Sequence, residues 1–269
     1  MIKLSNVIKE VTSRAKLKEH GEQSGVKSGF WQLDKQLDGL NNGELILVSA
    51  RPGMGKTTLV TQIASNVAGQ AEDKPVLYFS LEYSAYQCAK RLMSLHLKCG
   101  TDLHLKFSLE SFKTDDYEWL EAAGILSWSP LYIDDSSITT NKICRRANAR
   151  NKKWRLIVID GVGLHNNNIE KAAKSFKRLA KDLDVPVIFT LGLTSELENR
   201  QDRRPRLTDI KNFAELAKYV DTVLLLYREA YYEPGADPNT AEIIVAKSHY
   251  GEVGTVRFSW EGGSFSTIT

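Results

Sequence analysis

From Gly29 onward, short apolar runs alternate with longer stretches in which apolar residues recur every three or four positions. The runs predict strands at 45–49, 76–80, 131–134, 156–160, 187–191, 222–227 and 241–246, and a terminal hairpin of 255–260 with 264–268 around Glu261-Gly262-Gly263. The periodic stretches predict helices at 57–67, 85–98, 115–128, 140–152, 169–183 and 214–220. Runs such as Leu156-Ile157-Val158-Ile159 have no polar face, which is the mark of strands buried on both sides. The fold class is therefore α/β, with a mainly parallel central sheet and helices on both faces. Ahead of this body, Leu4, Val7, Ile8, Val11 and Ala15 share one helical face, with Lys3, Lys9, Glu10, Arg14 and Lys18 elsewhere. That amphipathic helix ends near Gly21 and the polar stretch 22–28 reads as a linker, dividing the chain into 1–27 and 28–269. Its apolar stripe must be buried either on its own core or on a neighbouring subunit.

The segment Ala50-Arg51-Pro52-Gly53-Met54-Gly55-Lys56-Thr57 follows the first apolar run and leads into the first long helix. Glycines at 53 and 55 allow backbone N–H groups to face a polyphosphate, Lys56 can neutralise its charge, and the Thr57 hydroxyl suits Mg²⁺. Ala50 stands at the usual first glycine, the smallest departure from that pattern. ATP and Mg²⁺ are the implied ligands. Asp160 closes its strand in a position to hold the metal through water, or it is an ordinary strand-end acid. Glu82 ends the strand after the phosphate-loop helix, where a carboxylate either takes a proton from an attacking water or opens the next helix.

Composition narrows the rest. At 42% hydrophobic and 26% charged, 269 residues can bury a large core. Cys88, Cys99 and Cys144 have no metal-ligand spacing and read as inert thiols of a reducing compartment. The first residues carry charge throughout and no apolar run has the length of a membrane span, so the expectation is a cytoplasmic protein without membrane contact. A net charge of +3 is too small to imply nucleic acid by itself. Local clusters matter more. Arg200, Arg203, Arg204 and Arg206 occupy a loop between strands, where they suit a nucleic-acid backbone. Arg145, Arg146, Arg150, Lys152, Lys153 and Arg155 read instead as a solvated helical face.

Several runs together resemble one family. They are Ser28-Gly29-Phe30 with Leu33-Asp34, Gly43-Glu44-Leu45-Ile46, the phosphate loop through Thr58, Phe79-Ser80-Leu81-Glu82, Val158-Ile159-Asp160, Gln201-Asp202-Arg203-Arg204-Pro205, Leu226-Tyr227-Arg228 with Tyr231-Tyr232, and Ala246-Lys247 with Gly251. In this order they resemble the C-terminal motor domain of DnaB-type replicative helicases. The resemblance implies a RecA-like P-loop ATPase, a homo-oligomeric ring of six with ATP at each interface, and movement on single-stranded DNA. It also implies a linker helix at 4–17 docking on the adjacent subunit, with no counterpart of the family's N-terminal, primase-contacting domain. Carried over by position, the loop from Arg51 to Thr58 holds nucleotide, Thr57 and Asp160 hold metal, Glu82 is catalytic, and Lys247 reaches a neighbour's site.

The chain departs from that pattern in several places. His249 replaces the arginine finger, Gly192 and Gly163 replace glutamines, and the first DNA loop is cut to about 164–168. Lys211, Asn212 and Ala214 replace the arginine, acid and glycine that the family places around DNA phosphates, leaving Lys211 as the DNA-facing cation. An arginine finger is worth roughly 10³ to 10⁵ in rate. A neutral imidazole, with an ordinary pKa of about 6.5, does not supply that. The expectation is ATP binding, slow hydrolysis and weakened unwinding in replication. The alternative is a non-motor ATP-binding paralogue that regulates or assembles with a replication partner.

Overall fold

The computed structural model describes residues 23–70, 74–97, 117–136, 139–149, 153–164, 168–261 and 263–268, with residues 4, 5, 8, 9, 12, 13 and 16 of the N-terminal segment. The strands are β1 (Leu45–Ala50), β2 (Val76–Ser80), β3 (Leu131–Asp134), β4 (Leu156–Asp160), β5 (Val187–Gly192), β6 (Thr222–Tyr227), β7 (Thr240–Lys247), β8 (Gly254–Glu261) and β9 (Ser264–Thr267). They form one sheet in the order β3-β2-β4-β5-β1-β6-β7-β8-β9. β3 through β6 in that order run parallel, and β7, β8 and β9 are added antiparallel. β1, β2 and β4 are buried along their whole length, as runs without a polar face require.

The helices are α1 (Trp31–Leu37), α2 (Lys56–Gly69), α3 (Ala85–His96), α4 (Tyr117–Trp128), α5 (Thr140–Ala149), α6 (Ile169–Leu183) and α7 (Phe213–Leu216). Successive strand residues point to opposite faces. Ile46 and Val48 meet Leu59, Val60 and Ile63 of α2 on one side, while Leu45 and Leu47 share a core with Phe176 and Leu179 of α6 on the other. The expected strands are all present, with ends shifted by at most a residue.

Three expectations need correction. α1 was not foreseen, because seven residues with Leu33 and Leu37 as the only buried apolar ones, beside buried Asp34, are too short to show a period. The described part of the expected linker, 23–28, is tied to the domain. Val26 is buried and bonds Leu40 through paired backbone groups, and the Ser24 hydroxyl donates to Asp38 at 2.9 Å, so these residues belong to the body of the domain. The helix expected at 214–220 stops at Leu216, after which the chain turns to bring Val220 into the core ahead of β6. The carbonyls of Ala217 and Val220, left without helical partners, accept from the Lys247 ammonium.

In the N-terminal segment the described residues are helical, and Leu4 and Ile8 are exposed. Val7, Val11 and Ala15 of the expected stripe, Cys99, Arg150 and Lys152 lie outside the described residues, as does most of the shortened loop after Leu164. Cys88 is buried and Cys144 half-buried, and burial pushes both thiols up in pKa, as suits inert cysteines.

Candidate nucleotide site

β1 and β2 follow one another in the chain but are separated in the sheet by β5 and β4, so α2 must cross over the sheet between them. In such sheets the crevice lies beyond the carboxyl ends of the strands. Parallel registers align Ala50 with Gly192 and Ser80 with Asp160, which puts the phosphate loop, Glu82, Asp160 and Gly192 on one rim. A cleft of about 1160 Å³ opens there, lined by Gly53, Gly55, Lys56, Thr57, Glu82 and Asp160 among others.

Within the loop, Gly53 has φ of 78° and Gly55 of 98°, turns that only glycine adopts readily. Space matters as well. A Cβ on Gly55 would lie 2.9 Å from Trp260, and one on Gly53 would lie 3.1 Å from Tyr231. The Lys56 ammonium donates to the Ala50 and Arg51 carbonyls at 2.9 and 3.2 Å. Burial lowers its pKa, while Asp160 and Glu82 pull it back up. Asp160 is buried and accepts from the hydroxyls of Tyr78 and Thr190. Glu82 is exposed to the cleft over Gly161, whose φ of 91° and missing side chain allow that approach.

This donor set fits Mg²⁺ carried with a triphosphate: a threonine hydroxyl, an oriented carboxylate, a half-buried cation and a glycine turn. It also fits no protein-only metal cage, since no group of three His, Cys, Asp or Glu side chains able to hold an ion occurs among the described residues. Pro52, Thr57 and Thr58 line the cleft, but two loop residues do not. Met54 is packed in the core and anchors the loop from below. Arg51 turns away, its guanidinium bonding Glu198 at 2.7 Å and the Leu193 carbonyl at 2.9 Å. Neither side chain is positioned for nucleotide, although both shape the loop.

Two arginines flank the phosphate loop's side of the molecule without having been assigned a role from the sequence. Arg91 of α3 lines it and stacks on the Tyr83 ring at 4.9 Å. Arg228 lies over Trp260 at 4.3 Å beside Gly53, and burial lowers its pKa. Arg228 falls in a run already matched to the family, whereas only its spatial neighbours mark Arg91. Nothing lies within 4 Å of where a Gly192 side chain would begin, and the cleft widens there toward Lys211 and Asn212. Lys211 thus faces the nucleotide cleft.

Lys247 and His249 are elsewhere. β7 runs antiparallel to β6, and the register Val223↔Lys247 carries them to the start of β6. The His249 Nδ1 lies 3.3 Å from Asp221, whose carboxylate also accepts from the Leu45 backbone at 2.7 Å and from Lys177 at 2.6 Å. Leu45 begins β1 and the phosphate loop follows its end, so the two regions are separated by the length of that strand, ~17 Å. Within one chain His249 and the phosphate loop do not meet.

The arginines of the 200–206 loop make contacts within the domain. Arg200 holds Asp209 with two bonds of 3.0 and 2.9 Å and also donates to the Arg204 carbonyl. Arg204 pairs with Glu242, donates to Thr255 at 3.2 Å and stacks on Tyr227 at 5.5 Å. Arg203 stacks on Tyr232 at 5.2 Å, and Arg206 pairs with Asp202 at 2.8 Å. Arg200 and Arg204 each have several partners within the domain, whereas the Arg203 and Arg206 contacts lie at the surface.

A phosphate loop at the first crossover, a strand-end aspartate and a parallel core extended by an antiparallel hairpin define a P-loop ATPase of the RecA-like class. The model of the DnaB-like helicase C terminal domain matches residues 25–267, and the chain belongs to that family. It is 34% identical to the replicative DNA helicase DnaB of Haemophilus influenzae over 96% of this chain and 58% of that protein. With the DnaB of Geobacillus stearothermophilus the identity is 35%, over 89% of this chain and 55% of the relative. The chain therefore spans little more than half the length of the curated relatives it matches. Among solved structures, one of an ATPase domain has a TM-score of 0.85 at 30% identity, covering 99% of this chain and 97% of that one. A DnaB-like replicative helicase, described with its interactions with primase, has a TM-score of 0.83 at 29% identity over 96% of this chain and 66% of its own.

Proposed function

We propose that the chain is a motor domain that binds and hydrolyses ATP with Mg²⁺ and works on single-stranded DNA in replication, as one subunit of a ring of six in the cytoplasm. The observation that carries this reading is the convergence of Lys56, Thr57, Asp160 and Glu82 on one cleft, from three parallel strands and a helix start. Lys56 neutralises phosphate charge, Thr57 and Asp160 hold the metal shell, and Glu82 accepts a proton from the attacking water. Bound Mg²⁺ supplies charge neutralisation at the β- and γ-phosphates. Lys247 and His249, remote from their own phosphate loop, act on a neighbour's nucleotide. The exposed Leu4 and Ile8 favour assembly through the N-terminal helix.

A second reading has specific support. The arginines expected to meet DNA are paired within the domain, Gly192 leaves the end of β5 bare, and His249 is tied to Asp221. These favour a non-motor ATP-binding paralogue whose nucleotide state regulates a replication partner. ATP turnover with and without single-stranded DNA, on a sample of known oligomeric mass, separates the two. The motor reading expects DNA to stimulate turnover, and the other expects none.

A further inference from the structure

Tyr78 interrupts the otherwise apolar interior of β2 with a fully enclosed hydroxyl. Its oxygen lies 3.1 Å from Asp160 Oδ2 and 3.2 Å from the Thr61 hydroxyl of α2. On the other side, the Thr190 hydroxyl of β5 donates to Asp160 Oδ1 at 2.7 Å and accepts from the Gly161 backbone at 2.8 Å. Donor counting settles the directions. An ionised carboxylate only accepts, so Tyr78 and Thr190 both donate to it, and Thr61 donates to Tyr78. One buried chain of hydrogen bonds thus runs from α2 through β2 and β4 to β5, with Asp160 at its centre.

Two features go beyond satisfying a buried acid. Among the described residues no cation lies within ion-pair distance of Asp160, so the carboxylate is held only by neutral donors while being almost wholly buried. Lys56 acts on this charge through space without pairing with it, and a buried carboxylate with no ion-pair partner is costly unless a cation is brought to it. Of its roughly four acceptor positions two are taken, one on each oxygen. Asp160 lines the cleft together with Lys56 and Thr57.

We propose that Tyr78 and Thr190 are positioning residues for the metal-holding carboxylate: anchoring one oxygen each, they fix its rotation and set how strongly Mg²⁺ couples to nucleotide binding. This rests on the nucleotide reading above. Partners of metal-holding groups typically contribute 10- to 100-fold to metal affinity or activity. Tyr78→Phe and Thr190→Val remove one anchor each at nearly constant volume, and Thr190→Ser restores a hydroxyl.

The test is binding of a fluorescent ADP analogue to the full chain, in excess chelator and across a Mg²⁺ titration, with melting curves to verify folding. Each anchor-removing variant should keep the chelator affinity within about twofold while needing roughly tenfold more Mg²⁺ for half-maximal enhancement. Thr190→Ser should match the unaltered chain. An unchanged Mg²⁺ requirement in both folded variants overturns the proposal, as does an equal loss of affinity in chelator, which would mean that the residues shape the pocket and not the metal seat. Absence of any Mg²⁺ effect in the unaltered chain would instead overturn the nucleotide reading, and the clamp with it.

Discussion

The phosphate loop and the arginine loop both read as ligand-facing in the sequence, yet their charges end in different places. In the first, the working groups are main-chain turns at Gly53 and Gly55 and a lysine next to them, so function is carried within a few residues. In the second, the guanidinium groups of Arg203 and Arg204 meet Tyr232, Tyr227, Glu242 and Thr255, which belong to β6, β7, β8 and the turn between. A backbone motif brings its context along. A cluster of charges is available only as far as distant residues leave it free, and here Glu242, Thr255 and Tyr227 hold Arg204.

The largest effect should come from Lys56→Ala. Loss of a charge-assisted phosphate contact should weaken ATP binding about 10²-fold by equilibrium titration, with the melting temperature little changed because the ammonium bonds only loop carbonyls. Unchanged affinity in the folded variant would remove the phosphate loop's side of the comparison.

At the opposite end of β1, buried Glu44 provides a control that involves no ligand. Burial raises its carboxyl from 4.5 to about 7, against hydrogen bonds from Thr222 and the Asn41 backbone. The folded state then binds more protons than the unfolded chain between those values. Stability from this group is present below 4.5 and is lost as pH rises through about 7, an effect on the order of 3 kcal/mol. Urea unfolding at pH 5 and pH 8 should show Glu44→Gln with a flatter pH dependence than the unaltered chain. Parallel profiles would contradict the assignment.

Arg200→Ala tests the other loop. It leaves the buried Asp209 without its two-bond partner and should cost about 2 kcal/mol in urea unfolding, whereas Arg203→Ala should stay within about 0.5 kcal/mol. Single-stranded DNA affinity of Arg200→Ala, measured below its melting temperature, should hold. Lost DNA binding at full stability would show that Arg200 is free for phosphates after all.

The smallest change concerns His249. If it acts on a neighbour's nucleotide, His249→Arg in the assembled protein should raise ATP turnover about tenfold, a modest part of what an arginine finger supplies. An unchanged rate at verified oligomeric mass would favour the non-motor reading.

The sheet was legible because its strands are buried on both faces and announce themselves as apolar runs, and the phosphate loop because strand, glycine turn and helix are contiguous. α1 escaped because it is short and packs on β8, far along the chain, with Phe258 of that strand meeting Phe30 at the helix start. Met54 was read with its neighbours as nucleotide-facing, since nothing local distinguishes a loop residue pointing into the core from one pointing out. The clamp on Asp160 was equally invisible. Tyr78, Asp160 and Thr190 come together only through the strand order β2-β4-β5.

The central claim is that Glu82 and the phosphate loop form one hydrolytic site, and Glu82→Gln addresses it most directly. Binding and turnover of ATP should be measured on the same preparation. The expected result is unchanged nucleotide affinity with turnover lowered about 10² to 10⁴-fold, since the amide cannot accept the water's proton. Turnover equal to that of the unaltered chain, with affinity intact, would contradict it and return Glu82 to the role of a helix-opening acid.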